Sequence, residues 1–236
     1  MQAVILAGGR GTRLRPYTTV LPKPLMPIGD YPIAHIVVNQ LKYDGITDIT
    51  MAVGHLGELL MAYFGDGSKY GVNIRYSKED SPLGTAGPLA FIPGLDSTFL
   101  LMNGDVLTTL KYTKLIEYHR RKGAVATIAM QTRSIKIDLG VIHANAENEL
   151  LDYIEKPTYD FLVSIGVYVF EPKVLDYIEA GESLDFPELV CRLLNSEERV
   201  VGYPHDGYWL DIGRQDDYEK ANAEFENRKQ ELLIPE

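Results

Sequence analysis

Cysteine is nearly absent from this sequence: Cys191 is the single one among 236 residues. One cysteine cannot form an internal disulfide, and a zinc site built from several cysteines is excluded as well. Cys191 lies in a helical pattern of leucines, so we expect a buried structural thiol rather than a nucleophile. Because disulfides are rare in reducing compartments, we expect a cytoplasmic protein.

Long hydrophobic runs and excess positive charge are also missing. No apolar run approaches the roughly 18 residues of a membrane-spanning helix, and the N-terminus lacks the layout of a secretory signal. The chain has 23 lysines and arginines against 33 acids, which gives a formal net charge of -10. Nucleic acids and anionic membranes bind extended basic surfaces, so neither is expected as a partner.

The few cations are unevenly placed along the chain. The first 29 residues hold four of them and no acid, namely Arg10, Arg13, Arg15 and Lys23. They stand beside the glycines of Gly8-Gly9-Arg10-Gly11, which directly follow an apolar stretch. Glycines let backbone N–H groups approach a ligand closely, and arginines bring charge and forked donors. The segment therefore indicates a site for a small polyanion such as the phosphate chain of a nucleotide.

Apolar runs and helical patterns alternate over the first 130 residues. They predict strands at 2–7, 48–53, 72–77, 98–102 and 124–130, and helices at about 31–43, 56–64, 83–91 and 111–122. This alternation predicts an α/β fold with a Rossmann-like, mainly parallel mixed sheet flanked by helices. Ligands of such sheets bind at the carboxyl ends of the strands, which here are followed by 8–23, 54–55, 78–85 and 103–105.

The alternation of strands and helices stops after residue 130. Short strands at 139–144, 149–154 and 163–170 predict a small antiparallel lobe beside the sheet. Further helices are predicted at 172–179, 185–195 and 214–230, and further strands near 199–203 and 207–210. We expect one domain over 1–236, with a nucleotide-binding half to about residue 130 and a half for a second substrate after it. We expect no room for a second domain after Glu236.

Two familiar phosphate-binding patterns do not fit the glycine segment. A P-loop needs a Lys-Ser/Thr pair after its last glycine, but Thr12-Arg13 follows Gly11. A dinucleotide-binding fingerprint needs a third glycine, and Thr12-Arg13-Leu14 supplies none. A dehydrogenase is therefore disfavoured.

A longer stretch of the N-terminal region does match a known family. Leu6-Ala7-Gly8-Gly9-Arg10-Gly11-Thr12-Arg13-Leu14-Arg15-Pro16, followed by Pro22-Lys23-Pro24-Leu25-Met26-Pro27-Ile28, resembles the sugar-1-phosphate nucleotidyltransferases. The resemblance covers essentially the whole chain and is closest to mannose-1-phosphate guanylyltransferase-like members. It implies that the turn wraps a nucleoside triphosphate and that Arg13 and Lys23 are catalytic cations that neutralise its phosphates. The nucleotide-binding residues that it implies here are Leu6, Ala7, Gly8, Gly9, Gly11, Thr12 and Arg13.

Two aspartates match the metal-ligand positions of that family. Asp105 ends an apolar run in Asn103-Gly104-Asp105, and Asp211 lies in Trp209-Leu210-Asp211. Either could otherwise be a turn or helix-cap residue. The resemblance implies that both hold Mg²⁺, that Asp105 is catalytic and that Gly104 contacts the nucleotide. Two carboxylates with phosphate oxygens and water are a ligand set that Mg²⁺ prefers.

The sugar phosphate has its own implied residues. Glu155-Lys156-Pro157 resembles a family motif in which the glutamate binds sugar hydroxyls and the lysine holds the sugar's phosphate. Without the family context, this would be an ordinary surface Glu-Lys pair. Gly140 matches the glycine whose backbone meets the sugar, and Gly166 is expected to permit the same close approach.

The base of the nucleotide is assigned to the stretch 78–87. The implied contacts there are Glu79, Pro82, Gly84 and Thr85. Guanine presents two adjacent donors that a carboxylate accepts as a fork, whereas uracil places an acceptor beside its N–H. In pyrimidine-specific relatives an amide often stands where Glu79 appears, so Glu79 favours GTP; a solvent-facing turn residue is the alternative.

The resemblance thus implies a magnesium-dependent enzyme. It would move a nucleotidyl group from a nucleoside triphosphate, GTP favoured, to a sugar-1-phosphate, mannose-1-phosphate favoured, by in-line displacement that releases pyrophosphate. Thymidylyl, uridylyl or cytidylyl transfer to glucose-1-phosphate or another sugar-1-phosphate stays open. An inactive regulatory subunit that senses nucleotide-sugars is an alternative of another class. The sugar and the oligomeric state, including a homo-oligomer, are left open.

Overall fold

The computed structural model describes residues 1–79 and 81–233, so Asp80 and residues 234–236 lie outside the described residues. The strands are β1 (Gln2–Ala7), β2 (Pro27–Ile28), β3 (Tyr31–Pro32), β4 (Asp48–Val53), β5 (Asn73–Lys78), β6 (Phe99–Asn103), β7 (Val106–Thr108), β8 (Ala126–Lys136), β9 (Val141–Ala144), β10 (Leu150–Ile154), β11 (Thr158–Phe170), β12 (Val200–Pro204) and β13 (Trp209–Asp211). The α-helices are α1 (Ile33–Tyr43), α2 (Gly57–Phe64), α3 (Tyr112–Lys122), α4 (Phe186–Asn195) and α5 (Gln215–Leu232). Short 3₁₀ helices at Gly87–Phe91 and Pro172–Tyr177 replace two of the predicted helices.

The main sheet has seven strands in the order β12-β8-β11-β6-β1-β4-β5. Strand β1 pairs in parallel with β4 on one side and with β6 on the other. Strand β11 runs antiparallel to both of its neighbours, β6 and β8. The predicted mainly parallel mixed sheet is therefore confirmed, with β11 as its antiparallel member.

Alternate side chains of β1 enter different cores. Ala3 and Ile5 pack with residues of α1, α2 and α3 on one face of the sheet. Val4 packs with residues of α4 and of Gly87–Phe91 on the other face. Because both faces are covered, the strand is apolar at nearly every position rather than alternating with polar residues.

The predicted antiparallel lobe lies beyond the carboxyl end of β6. Residues 131–136 of β8 pair with residues 158–163 of β11, past the last residue of β6. At about 3.3 Å per residue this ladder extends roughly 20 Å beyond the sheet. It carries the two-stranded ladder of β9 and β10 between its ends. The prediction ended these strands too early, at residue 130, and did not extend β11 back to Thr158.

The prediction of a buried Cys191 is wrong, because this side chain is exposed. Helix α4 buries Phe186, Leu189 and Leu193, which are three and four residues apart and share one face. Cys191 is two residues from Leu189 and falls on the opposite face.

Within residues 1–79 and 81–233, no helix is both long and apolar enough to cross a bilayer.

Candidate functional site

The segments that follow β1, β4, β5 and β6 meet at one edge of the sheet. The Gly104 N–H donates to the Leu6 carbonyl at 2.8 Å, and the His55 N–H donates to the Gly8 carbonyl at 3.3 Å. The Glu79 N–H donates to the Val53 carbonyl at 3.1 Å. Between these segments lies a cleft of about 650 Å³. Its lining includes Leu6, Gly8, Gly9, Glu79, Pro82, Gly84, Thr85, Asn103, Asp105 and Asp185.

Two glycines keep the floor of this cleft free of side chains. A Cβ placed on Gly54 would lie 2.8 Å from the Gly8 carbonyl oxygen, which is closer than real Cβ atoms come. A Cβ placed on Gly8 would lie 3.0 Å from Glu79 Oε1. The close packing of the two turns therefore brings the Glu79 carboxylate beside the glycine segment and leaves backbone exposed to a ligand.

The predicted catalytic cations flank a smaller, connected cavity. It measures about 240 Å³ and is lined by Leu6, Ala7, Gly9, Gly11, Thr12, Arg13, Lys23, Gly104 and Asp105. Lys23 forms an ion pair with Asp105 through Nζ and Oδ2. Arg10 and Arg15, with His55, line a third cavity of about 330 Å³. The cations that are grouped in sequence are therefore also grouped in space.

Asp105 and Asp211 lie side by side although they are far apart in sequence. Strand β13 pairs with β7 so that Asp211 is opposite Val106, and the Ile212 N–H donates to the Asp105 carbonyl at 3.1 Å. Burial raises the pKa of Asp211, and the neighbouring Asp105 carboxylate raises it further. Lys23 and Arg13 act in the opposite direction on this pKa. The two acids and the two cations therefore share one electrostatic environment.

The two aspartates fit a divalent cation. Asp105 Oδ1 is buried and has no hydrogen-bond partner in the part of the chain that the structure describes. Lys23 pairs with Oδ2 only, so the buried Oδ1 beside a second carboxylate is costly unless a further cation binds it. No cluster of three or more histidine, cysteine or acidic side chains suited to a metal occurs among the described residues. Further ligands would therefore have to come from phosphate oxygens and water, which suits Mg²⁺.

Asp211→Asn should raise the melting temperature in metal-free buffer by about 1–4 °C. The folded state raises the pKa of Asp211 above its ordinary value of 3.8, so the ionised carboxylate opposes folding at neutral pH. This cost vanishes below the ordinary pKa, where both states are protonated, so the gain should shrink as the pH falls towards 3.8. Thermal melts of both proteins at pH 7 and pH 4 measure the gain in melting temperature. A lower melting temperature for the variant than for the wild type at pH 7 would contradict the prediction.

Glu79 and residues 81–87 form the side of the cleft that we call the base loop. Glu79 Oε2 accepts a hydrogen bond from the Leu83 N–H at 3.2 Å. Burial raises the pKa of Glu79, and this hydrogen bond lowers it by less. Pro82, Gly84 and Thr85 line the same cleft. The predicted base contacts are therefore brought together on one side of the cleft.

Sequence reasoning missed Asp185, which lines the cleft from the second half of the chain. Its Oδ1 accepts hydrogen bonds from the Thr85 N–H at 2.9 Å and from Thr85 Oγ1 at 3.1 Å. An Asp directly before Phe-Pro signals a helix start, and nothing local indicates a contact with the base loop.

The predicted sugar residues form a separate, more open group. Glu155 and Lys156 are exposed, and their side chains form an ion pair at 3.7 Å. Tyr153 Oη donates to Glu155 Oε2 at 3.1 Å and crowds Gly140, where a Cβ would lie 2.1 Å from it. These residues do not line the three cavities described above. Tyr153 was not anticipated, since a single exposed tyrosine carries no sequence signal.

Gly166, the remaining predicted sugar residue, lies against the end of β6. It has φ +74°, and a Cβ there would lie 2.7 Å from Asn103 Nδ2. Asn103 lines the main cleft, so Gly166 lets β11 approach the end of β6.

The chain is similar to several known proteins. The family profile described as nucleotidyl transferase matches residues 2–228. A UTP–glucose-1-phosphate uridylyltransferase from Synechocystis sp. is 36% identical over 241 residues, which cover 94% of this chain and 62% of that protein. A mannose-1-phosphate guanyltransferase from Yarrowia lipolytica is 33% identical over 252 residues, which cover 100% of this chain and 68% of that protein.

A solved structure shares the fold. The chain superimposes with a TM-score of 0.76 on a Bacillus anthracis protein described as a candidate glucose-1-phosphate thymidylyltransferase in complex with sucrose. The two are 26% identical, and the match covers 94% of each chain. The present chain thus spans 94% of this structural relative but only 62% and 68% of the length of the two curated relatives.

Proposed function

This chain belongs to the nucleotidyl transferase family, and we propose that it transfers a nucleotidyl group from a nucleoside triphosphate to a sugar-1-phosphate and releases pyrophosphate. The observation that carries the proposal is the group formed by Asp105, Asp211, Lys23 and Arg13 beside the glycine segment. The two aspartates can hold one metal ion, and Lys23 and Arg13 can neutralise phosphates. Both functions serve a reaction that joins two anions.

The reaction needs positioning more than a nucleophilic side chain. An oxygen of the sugar phosphate forms a bond to the α-phosphorus, and the bond from that phosphorus to the bridging oxygen breaks, so that pyrophosphate leaves with the electron pair. A phosphate monoester is largely a dianion at neutral pH, since its second pKa is about 6, so no general base is required. The protein has to hold two repelling anions in line.

The described residues divide this task between them. Lys23, now paired with Asp105, would exchange that carboxylate for a phosphate oxygen, and Arg13 would place a forked donor on the α-phosphate and leaving group. Asp105 and Asp211 would hold Mg²⁺, which screens the charge of the phosphates when bound. Lys156 would hold the attacking phosphate and Glu155 the sugar hydroxyls, with Gly140 and Gly166 giving the backbone room.

GTP is the nucleotide that the base loop favours. Glu79 is half-buried beside Gly8, and its carboxylate offers two acceptors to guanine's adjacent donors. The guanyltransferase from Yarrowia lipolytica supports this choice and mannose-1-phosphate as acceptor. The uridylyltransferase from Synechocystis sp. supports UTP and glucose-1-phosphate as the second candidate pair. The residues to about 130 would bind the nucleotide and the remainder the sugar phosphate, within one domain.

A substrate matrix tests the proposal directly. Pyrophosphate release is measured with each nucleoside triphosphate against mannose-1-phosphate, glucose-1-phosphate and other sugar-1-phosphates, with and without Mg²⁺. We expect the fastest release with GTP and mannose-1-phosphate and none without Mg²⁺. Faster release with UTP or dTTP at equal concentration would overturn the choice of base, and no release with any pair would overturn the activity.

Glu79→Gln should lower kcat/KM for GTP by about 10- to 100-fold and raise it for UTP or dTTP. An amide offers one acceptor and one donor, which suits uracil or thymine and leaves one guanine donor unmatched. Because the ionised carboxylate reads guanine, GTP use by the wild type should weaken as the pH falls through the raised pKa of Glu79. The glutamine variant should lack this pH step, and unchanged selectivity in the variant would exclude base reading by Glu79.

A further inference from the structure

Helix α4 begins at Phe186, but the residue before it does not cap it. An aspartate at this position ordinarily accepts a hydrogen bond from the first turn of its own helix. Asp185 makes no such bond, and the Phe186 N–H donates instead to Thr85 Oγ1 at 2.9 Å. The Thr85 hydroxyl in turn donates to Asp185 Oδ1, as does the Thr85 N–H. Thr85 of the base loop therefore caps α4, and Asp185 in turn accepts hydrogen bonds from Thr85, although the two residues are 100 positions apart in the sequence.

Backbone hydrogen bonds fasten the same two segments. The Leu184 N–H donates to the Leu83 carbonyl at 3.0 Å, and the Ala86 and Gly87 N–H groups donate to the Leu184 carbonyl at 2.8 and 3.1 Å. Gly84 has φ +76°, and a Cβ there would lie 2.5 Å from the Leu184 carbonyl oxygen. Only glycine allows the base loop to lie this closely against the start of α4.

The segment that receives the base loop is itself braced. Arg192 Nη1 donates to Glu182 Oε2 at 2.9 Å and to the Tyr177 carbonyl at 3.1 Å. Arg192 Nη2 donates to Glu188 Oε1 at 2.9 Å. These charge-assisted bonds hold residues 177–188 together, so Asp185 stands on a rigid support.

We propose that Asp185 is a positioning residue for nucleotide selection, because the hydrogen bonds between Asp185 and Thr85 hold the base loop where Glu79 reads the base. This inference rests on the proposed function. The connection runs through Leu83, whose N–H donates to the Glu79 carboxylate and whose carbonyl accepts from the Leu184 N–H, just before α4. Loss of the Asp185–Thr85 pair would let the loop shift and carry the Leu83 N–H away from Glu79.

Steady-state kinetics and amide exchange on Asp185→Ala test the inference. We expect KM for the best nucleoside triphosphate to rise about three- to tenfold and its preference over the next one to fall by a similar factor. KM for the sugar-1-phosphate should stay within about twofold, since the sugar residues do not touch this pair. The Thr85 and Phe186 amides should exchange about tenfold faster. Asp185→Asn, which keeps the Oδ1 acceptor, should stay close to wild type.

Controls separate positioning from folding and from direct contact with the nucleotide. Asp176→Ala removes an exposed aspartate of the same half and should change none of these values. Thr85→Val combined with Asp185→Ala should cost less than the sum of the single changes, because both break one pair. Additive costs, or unchanged nucleotide KM and selectivity in a folded Asp185→Ala protein, would overturn the inference. If the wild type released no pyrophosphate, the proposed function would be refuted instead. The contact between Asp185 and Thr85 would still be tested, because an unchanged exchange rate of the Thr85 amide in Asp185→Ala would refute it.

Discussion

Asp105→Asn is expected to lower kcat for pyrophosphate release by about a thousandfold with little change in fold. Asp105 Oδ1 is a buried carboxylate oxygen with no hydrogen-bond partner among the described residues, and Asp211 lies beside it. An amide of the same shape would replace one of two anionic ligands by a neutral one. It would also leave Lys23 without its carboxylate partner.

Initial rates over a range of Mg²⁺ concentrations measure this effect, and circular dichroism checks the fold. The variant should need more Mg²⁺ and still not recover the wild-type rate. Asp96→Asn is the matched control, because Asp96 is exposed and precedes β6, at the edge of the sheet opposite the cleft. A Mg²⁺-dependent rate for Asp105→Asn within a few-fold of wild type would remove Asp105 from the metal site.

Arg13→Ala should lower kcat by about 10²–10³, the usual cost of removing one preorganised donor to a developing charge. Arg13 lines the cavity of about 240 Å³ and lies close to Asp211: a Cβ placed on Gly213 would be 3.6 Å from Arg13 Nη2 and 3.3 Å from Asp211 Oδ2. Because the charge on the phosphates grows as pyrophosphate leaves, kcat should fall more than KM rises.

Single-turnover rates with saturating substrates measure the chemical step for this variant. Arg13→Lys should recover only part of the rate, since lysine restores the charge but not the forked geometry. Arg120→Ala removes an exposed arginine on α3 and should leave the rate unchanged. Near-wild-type turnover by Arg13→Ala would show that the phosphates are held by other groups.

The elements that were predicted are those with a strong local pattern. Strands β1, β4, β5 and β6 and helices α1, α3 and α5 lie within a few residues of their predicted bounds, because apolar periodicity is a property of neighbouring residues. Strands β2, β3 and β7 have two or three residues each and no readable period, and none of them was predicted. Yet β7 is the strand whose pairing with β13 brings Asp211 to Asp105.

The candidate site shows the same division. The glycine segment with Arg13 and Lys23 could be predicted because its residues are consecutive or nearly so. Asp105 and Asp211 were predicted together because the motifs around them resemble a family's motifs; nothing in the sequence itself links the two residues. Asp185 was missed, since its partner Thr85 is 100 residues away and its own surroundings indicate only a helix start.

The amino-acid sequence by itself determined the α/β class, the strong negative charge, and the concentration of cations at a glycine turn after the first strand. Those properties depend on composition and on short-range order. Tertiary structure alone brought Asp211 beside Asp105, placed Thr85 at the start of α4, and exposed Cys191. The physical reason is that these contacts depend on strand register, helix phase and close backbone approach, none of which leaves a mark among neighbouring residues.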